Sequence, residues 1–402
     1  MKSNAIRALC LLLPLAGALP AQITSVSPVG GPPLVGPYSP GVVAGGYLYV
    51  SGQGAKNGQG VIPDTFEAQM RQTLENVKAV VEAAGLSLDH LVYTHLYLAN
   101  MANLAEADRI WSAHFGNNSP ARATIGVARL PGTPVEINAV AVVDMQGRKA
   151  VSIPGFENKP YPPAVLTHDR LFISNLSGSG ATPEAEVSSA LDSLKAVTEA
   201  AGLSLKHMVF VNPYLTAALP VDSMNREYAA RFEFGNTPAR ATIVVDALPA
   251  GRFALTGIAV RDLSKRQAVR PKNMPPSATA SPCVFAGDTL YCSAKSGFIP
   301  GPFSGIYAAT VEHQLRQTFR NLLDNLEEAD LDFGDVVVAN VYLDDISDFQ
   351  AMNKIYAKYL KTPFPARTTF QQIAPAERKV GEEGQYPGLE QISFIAVRQP
   401  LH

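Results

Sequence analysis

Histidine, cysteine and net charge are all in short supply, and each shortage removes a class of function. The 402-residue chain has seven histidines and three cysteines. The histidines are scattered without paired metal-ligand spacing, which argues against a built metal centre. His90 and His207 recur at equivalent positions after a helix end and read as surface residues. A formal net charge of -2 offers no basic surface for a phosphate backbone, so nucleic acid is a poor partner. No segment after the N-terminus approaches the roughly 20 apolar residues that span a bilayer. No glycine-rich phosphate loop follows a strand, and no Gly-x-Ser-x-Gly elbow occurs. What remains is an ordinary globular composition, 47% hydrophobic and 17% charged, long enough for two or three domains.

Residues 1–21 read as a signal peptide. Lys2 and Arg7 precede an apolar run from Ala8 to Leu19, and Ala16-Gly-Ala18 and Leu19-Pro-Ala21 offer small-residue cleavage sites. The alternatives are an uncleaved anchor or a misassigned start. Cys10 lacks the small residues expected ahead of a lipidated cysteine. The mature protein is therefore expected to be exported, periplasmic or extracellular, with no membrane contact after cleavage. Cys283 and Cys292 flank two short strands joined at Gly287-Asp288. Counting outward from that turn pairs them at a non-hydrogen-bonded position, where Cα atoms approach to about 4.5 Å. That lies at the short end of the disulfide range, and export brings oxidising conditions. A cross-strand disulfide is expected, with two buried free thiols as the alternative.

The chain repeats itself. Lys78-Ala-Val-Val-Glu-Ala-Ala-Gly-Leu-Ser-Leu-Asp-His-Leu-Val92 returns with few changes from Lys195 to Val209, and Gln69-Met-Arg-Gln-Thr73 returns as Gln314-Leu-Arg-Gln-Thr318. Pro120-Ala-Arg-Ala-Thr124 recurs as Pro238-Ala-Arg-Ala-Thr242 and Pro365-Ala-Arg-Thr-Thr369. A period of about 120 residues is that of a domain, not of a solenoid. The expected units are 27–146, 147–264 and 265–402, joined by thin linkers at 145–154 and 264–276. In the first unit a hairpin turns at Gly45-Gly46. A helix opens near Asp64, with Glu67 at capping-box spacing, and stops at Gly85. A strand from Leu91 to Leu98 and a helix from Leu104 to Phe115 follow. Two last strands, Ala123–Ala128 and Val135–Val143, flank Leu130-Pro131-Gly132. The order β-β-α-β-α-β-β is α+β, one sheet with helices on one face. The other face is also apolar, and three sheets packed face-in around an axis would cover it.

Gly36-Pro-Tyr-Ser-Pro40, Tyr47-Leu-Tyr-Val-Ser-Gly52, Ala83-Ala-Gly85, the run from Pro120 to Pro131 and Val135-Glu-Ile-Asn138 closely resemble signatures of the RidA/YjgF (L-PSP endoribonuclease-like) family. The resemblance implies three RidA-like, chorismate-mutase-like domains forming a pseudo-threefold single-chain trimer, a monomer acting as a trimer. It also implies hydrolysis of enamine and imine intermediates of small amino acids to a 2-keto acid and ammonia, without metal or cofactor. The partner is then a small carboxylate-bearing substrate. Arginine grips a carboxylate through two charge-assisted bonds, and Arg122, Arg240 and Arg367 are the candidates. Glu136 matches the family's catalytic glutamate, a group suited to shuttling the proton of an attacking water. Tyr38, Ser51, Gly52 and Thr124, with Thr242 and Thr369 as the repeated threonines, would complete the lining.

If the last two strands form a hairpin about Pro131-Gly132, Glu136 lies opposite Val127. Arg122 is then about five residues further along, ~17 Å away. One repeat cannot join its own arginine and glutamate, so the site should combine halves of two repeats. The copies differ. Repeat 2 keeps Tyr161 and Ser174 but has Asn175 for the glycine and Ala254 for the glutamate. Repeat 3 keeps Ser293 but has Ala280, Ala294 and Gln391 for the tyrosine, glycine and glutamate. The family's helix-two asparagine is matched by Asn225 and Asn353, but by Asp108 in repeat 1, where it would repel a carboxylate ligand. One competent cleft is expected, joining Tyr38, Ser51 and Glu136 to Arg240 or Arg367. The alternative is an exported, non-catalytic carboxylate-binding or scaffold protein.

Overall fold

The computed structural model describes residues 22–301, 305–374 and 386–399. The expected signal segment, with Lys2, Arg7 and Cys10, lies outside the described residues. A first sheet is built from β1 (Thr24–Val26), β2 (Gly41–Ala44), β3 (Tyr47–Gly54), α1 (Phe66–Ala83), β4 (Leu91–Leu98), α2 (Leu104–Phe115), β5 (Ala121–Gly126) and β6 (Val135–Val142). Its strand order is β1-β2-β3-β6-β4-β5. The second comprises β7 (Lys149–Val151), β8 (Ala164–Leu166), β9 (Arg170–Ser177), α3 (Pro183–Ala200), β10 (Met208–Leu215), α4 (Val221–Ala229), β11 (Ala239–Arg240), β12 (Ile243–Val244) and β13 (Phe253–Val260). The third comprises β14 (Arg266–Val269), β15 (Cys283–Ala286), β16 (Thr289–Cys292), α5 (Val311–Glu327), β17 (Val336–Leu343), α6 (Phe349–Tyr359), β18 (Ala366–Gln371) and β19 (Glu390–Val397). The last two sheets repeat the order of the first. The fold is α+β, with three sheets and six α-helices among the described residues.

Several expectations need correction. α1 is capped by Thr65, whose side chain accepts from the Ala68 N–H, one residue later than the Asp64 start. Both linkers carry strands: β7 and β14 add an edge strand ahead of each hairpin, as β1 does from Thr24, before residue 27. The hairpin about Pro131-Gly132 does not form. β5 runs parallel to β4, and β6 inserts antiparallel between β3 and β4. Glu136 therefore sits beside Tyr97 and Gly54, not Val127. The reason is that α2 returns the chain to a parallel position on the far edge of β4, so β4 separates β5 from β6 and their connection must pass its end, which a two-residue turn cannot do.

Both faces of each sheet are buried. On β4, Leu91, Leu96 and Leu98 pack under the helices, while Val92, Tyr93 and Tyr97 join a cluster shared by all three sheets. That cluster includes Tyr49 of the first sheet, Phe210 and Tyr214 of the second, and Tyr342 and Phe370 of the third. Polar groups inside it are bonded across sheets: His95 Nε2 lies 2.6 Å from the Tyr214 hydroxyl, and the Tyr93 hydroxyl 3.0 Å from Thr256 Oγ1. The seams repeat. Ser51 Oγ accepts from the Arg367 N–H, Ser174 Oγ from Arg122, and Ser293 Oγ from Arg240, at 2.8, 2.9 and 2.8 Å. Sheet one thus meets three, three meets two, and two meets one. Loops beyond β5, β12 and β18 close the same cycle through backbone bonds Gly126 N to Ala247 O, Ala128 N to Gln371 O and Ile373 N to Val244 O.

Candidate active site

Strand register defines the equivalences. Glu136, Ala254 and Gln391 stand beside Tyr97, Tyr214 and Tyr342, and Arg122, Arg240 and Arg367 beside Thr94, Val211 and Ala339. Thr94 and Tyr97 are an odd number of residues apart on β4, so Arg122 and Glu136 project from opposite faces of their sheet. Opposite faces, rather than distance along a hairpin, keep a repeat's arginine from its own glutamate.

Each arginine is gripped by the second helix of its own repeat. Arg367 Nη1 donates to Asn353 Oδ1 at 2.7 Å, Arg240 Nη1 to Asn225 Oδ1 at 2.9 Å, and Arg122 pairs with Asp108. One turn on, Tyr356, Tyr228 and Trp111 lay their rings 5.0, 5.1 and 4.8 Å from the three guanidinium carbons, a cation–π contact. These aromatics were not singled out from the sequence, although their constant i+3 offset from the helix-two residue was there to be read.

Arg367 comes to Glu136. Both line a cleft of about 70 Å³ with Tyr38, Gly52 and Thr369. Tyr38 covers the guanidinium at 5.2 Å, and Gly52 lies so close to the carboxylate that a Cβ there would overlap Glu136 Oε1. Burial pushes the Glu136 carboxyl up to about 8, against the lowering pull of Arg367. Burial also lowers Arg367 and raises Tyr38. Thr369 Oγ1 is buried without a hydrogen-bond partner. Gln53 of β3, Lys56 just beyond it and Phe349 of α6 also line the wall.

Other candidates fall elsewhere. The Ser51 hydroxyl donates to Ser39 O at 2.6 Å and accepts from the Arg367 N–H, so its proton is committed to the seam. Asp108 pairs with Arg122, which Tyr161 covers at 4.4 Å and which is 1% exposed. Thr124 is fully buried, its carbonyl accepting from Asn175. Arg240 and Thr242 line a separate cleft with Gln391 and without Glu136. Cys283 and Cys292 are disulfide-bonded, with Cα atoms 4.0 Å apart. His90 and His207 cap short turns through Ser87 and Ser204 and stay half-exposed. Among the described residues no group of His, Cys, Asp and Glu is gathered that could hold a metal ion.

The family model described as Endoribonuclease L-PSP matches residues 31–143 and 271–379. This chain belongs to that family, the RidA/YjgF family. A RutC family protein of Pyrococcus horikoshii is 38% identical over 114 residues, 27% of this chain and 90% of its own length. The 2-iminobutanoate/2-iminopropanoate deaminase of Escherichia coli is 40% identical over 116 residues, 28% of this chain and 91% of its own. The crystal structure of the Escherichia coli YjgF gene product is 36% identical, covering 30% of this chain and 99% of that one, with a TM-score of 0.29. RidA relatives thus include imine deaminases.

Proposed function

We propose that the protein is an exported, single-chain pseudo-threefold trimer that hydrolyses small imino acids at one inter-repeat cleft. The observation that carries this is the pairing of buried Glu136 of the first repeat with Arg367 of the third in one cleft. The substrate carboxylate would dock on Arg367, whose remaining N–H groups are oriented by Asn353. Glu136, protonated up to about pH 8, can donate its proton to the imine nitrogen and make the adjacent carbon more electrophilic. A water, for which the unpartnered Thr369 hydroxyl is a candidate holder, then attacks that carbon. The Glu136 carboxylate takes a proton from the water, and collapse of the carbinolamine releases ammonia and leaves the 2-keto acid. The disulfide supports an oxidising compartment. The repeat boundaries at 27–146, 147–264 and 265–402 belong to the same reading.

Keto acid and ammonia release from freshly generated imino acids is the test. Glu136→Ala should lower kcat by at least about a thousandfold, given the scale of general acid–base catalysis. Activity surviving that substitution would end the proposal. Loss of the acid at Ala254 and Gln391 favours a second reading, carboxylate capture without turnover. An inactive wild type that still binds 2-keto acids would select it.

A further inference from the structure

The seam between the second and third repeats holds a cleft of a different character. It spans about 510 Å³ and is lined by Arg240 and Thr242 from one side and Lys295 and Gln391 from the other. Where the first cleft has Gln53 and Glu136, this one has a cation and a carboxamide: Lys295 follows Ser293 and Ala294 as Gln53 follows Ser51 and Gly52. Gln391 is engaged, donating to Thr242 O at 3.1 Å and to Gln372 Oε1 at 2.9 Å. Lys295 makes no ion pair among the described residues, and Arg240 is held only by neutral partners, Asn225 and the Tyr228 ring. Burial lowers both cations from their ordinary ranges. Thr242 Oγ1 is buried without a partner. Two desolvated cations and an orphan hydroxyl, with no carboxylate among the lining residues, make a site suited to an anion.

We propose that this cleft binds a small aliphatic dicarboxylate, one carboxylate on Arg240 and the other on Lys295, without transforming it. A monoanion would leave one cation unmatched. The cations come from different sheets, and the cleft is far larger than one phosphate needs. Met274, Pro275 and Pro282 supply an apolar wall for the methylene chain between the carboxylates. Gln391 cannot shuttle a proton, so no turnover follows. The site is separate from the Glu136 cleft and stands whether or not that cleft hydrolyses imines.

Calorimetric titration of the full chain with succinate and glutarate, against butyrate and inorganic phosphate, tests the idea. Either dicarboxylate should bind at least about tenfold more tightly than butyrate or phosphate, the scale of one added charge-assisted hydrogen bond. Lys295→Gln should remove that advantage while leaving imine hydrolysis unchanged. Phosphate or butyrate binding as tightly as succinate, or a dicarboxylate affinity untouched by Lys295→Gln, overturns the proposal.

Discussion

A side chain cannot be added at residue 52 while Glu136 keeps its position, because the new Cβ would overlap the carboxylate. The two residues act as one unit, and the other repeats lost both members, as Asn175 with Ala254 and Ala294 with Gln391. Gly52→Ala should therefore lower kcat/KM at least about tenfold and cost about 1–3 kcal/mol by overpacking. Adding Glu136→Ala should restore the stability but not the activity, measured by denaturant titration beside the imine assay. A stability loss unchanged in the double variant would mean that the glutamate is not what Gly52 accommodates. Titration gives a second handle. The folded-state carboxyls of Glu136 and Glu390 are both raised by burial from 4.5 to about 8. Native protein keeps these protons in a window where the unfolded chain has lost them. Their stabilising contribution is full below about pH 4.5 and is lost as pH rises through about 8. Melting temperatures between those limits should fall with pH, and Glu136→Gln and Glu390→Gln should each flatten the slope. Identical slopes in wild type and both variants would contradict the burial.

Strands and helices were largely legible locally: Leu91–Leu98 reads as a strand from its β-branched and aromatic content, and Leu104–Phe115 as a helix from the spacing of its apolar residues. Strand order was not, since Pro131-Gly132 looks like a hairpin turn while the crossover through α2 puts β5 on the far side of β4. The edge strands β1, β7 and β14 have three or four residues each, too few for any alternation to register. For the site, the arginines stood out by repetition and Glu136 by family resemblance. The partner of Glu136 depends on contacts between residues more than 200 positions apart, which local pattern does not report. The β15–β16 hairpin was readable because its turn fixed the register, Cys283 facing Cys292. Its disulfide spans a sequence separation of 9, for which chain entropy gives at most ~3 kcal/mol. The ladder already holds the two ends together, so replacing both cysteines with alanine should cost about 1–2 kcal/mol and leave one cooperative transition. An unfolded third repeat in that variant would show that the hairpin depends on the covalent link.

One apolar cluster draws on the inner faces of all three sheets, so no sheet can leave without exposing the inner faces of the other two. The molecule should unfold as a single unit despite its length, with calorimetric and van't Hoff enthalpies in agreement. Arg170 is the sharpest probe of that coupling. It is 3% exposed and belongs to the second sheet, yet it donates to the Tyr291 hydroxyl at 3.0 Å and Thr289 Oγ1 at 2.7 Å in the third. Its guanidinium carbon also lies 4.5 Å from the Tyr47 ring of the first sheet. Asp169, beside it at 3.3 Å, balances its charge. Arg170→Ala would strand these hydroxyls in a buried void and remove a group that touches all three sheets. About 3–5 kcal/mol should be lost. If the sheets share one folding unit, that loss lowers a single transition for the whole chain. Sheets that fold independently would instead give more than one transition, moved unequally by the substitution, and differential scanning calorimetry of wild type and variant separates the two cases.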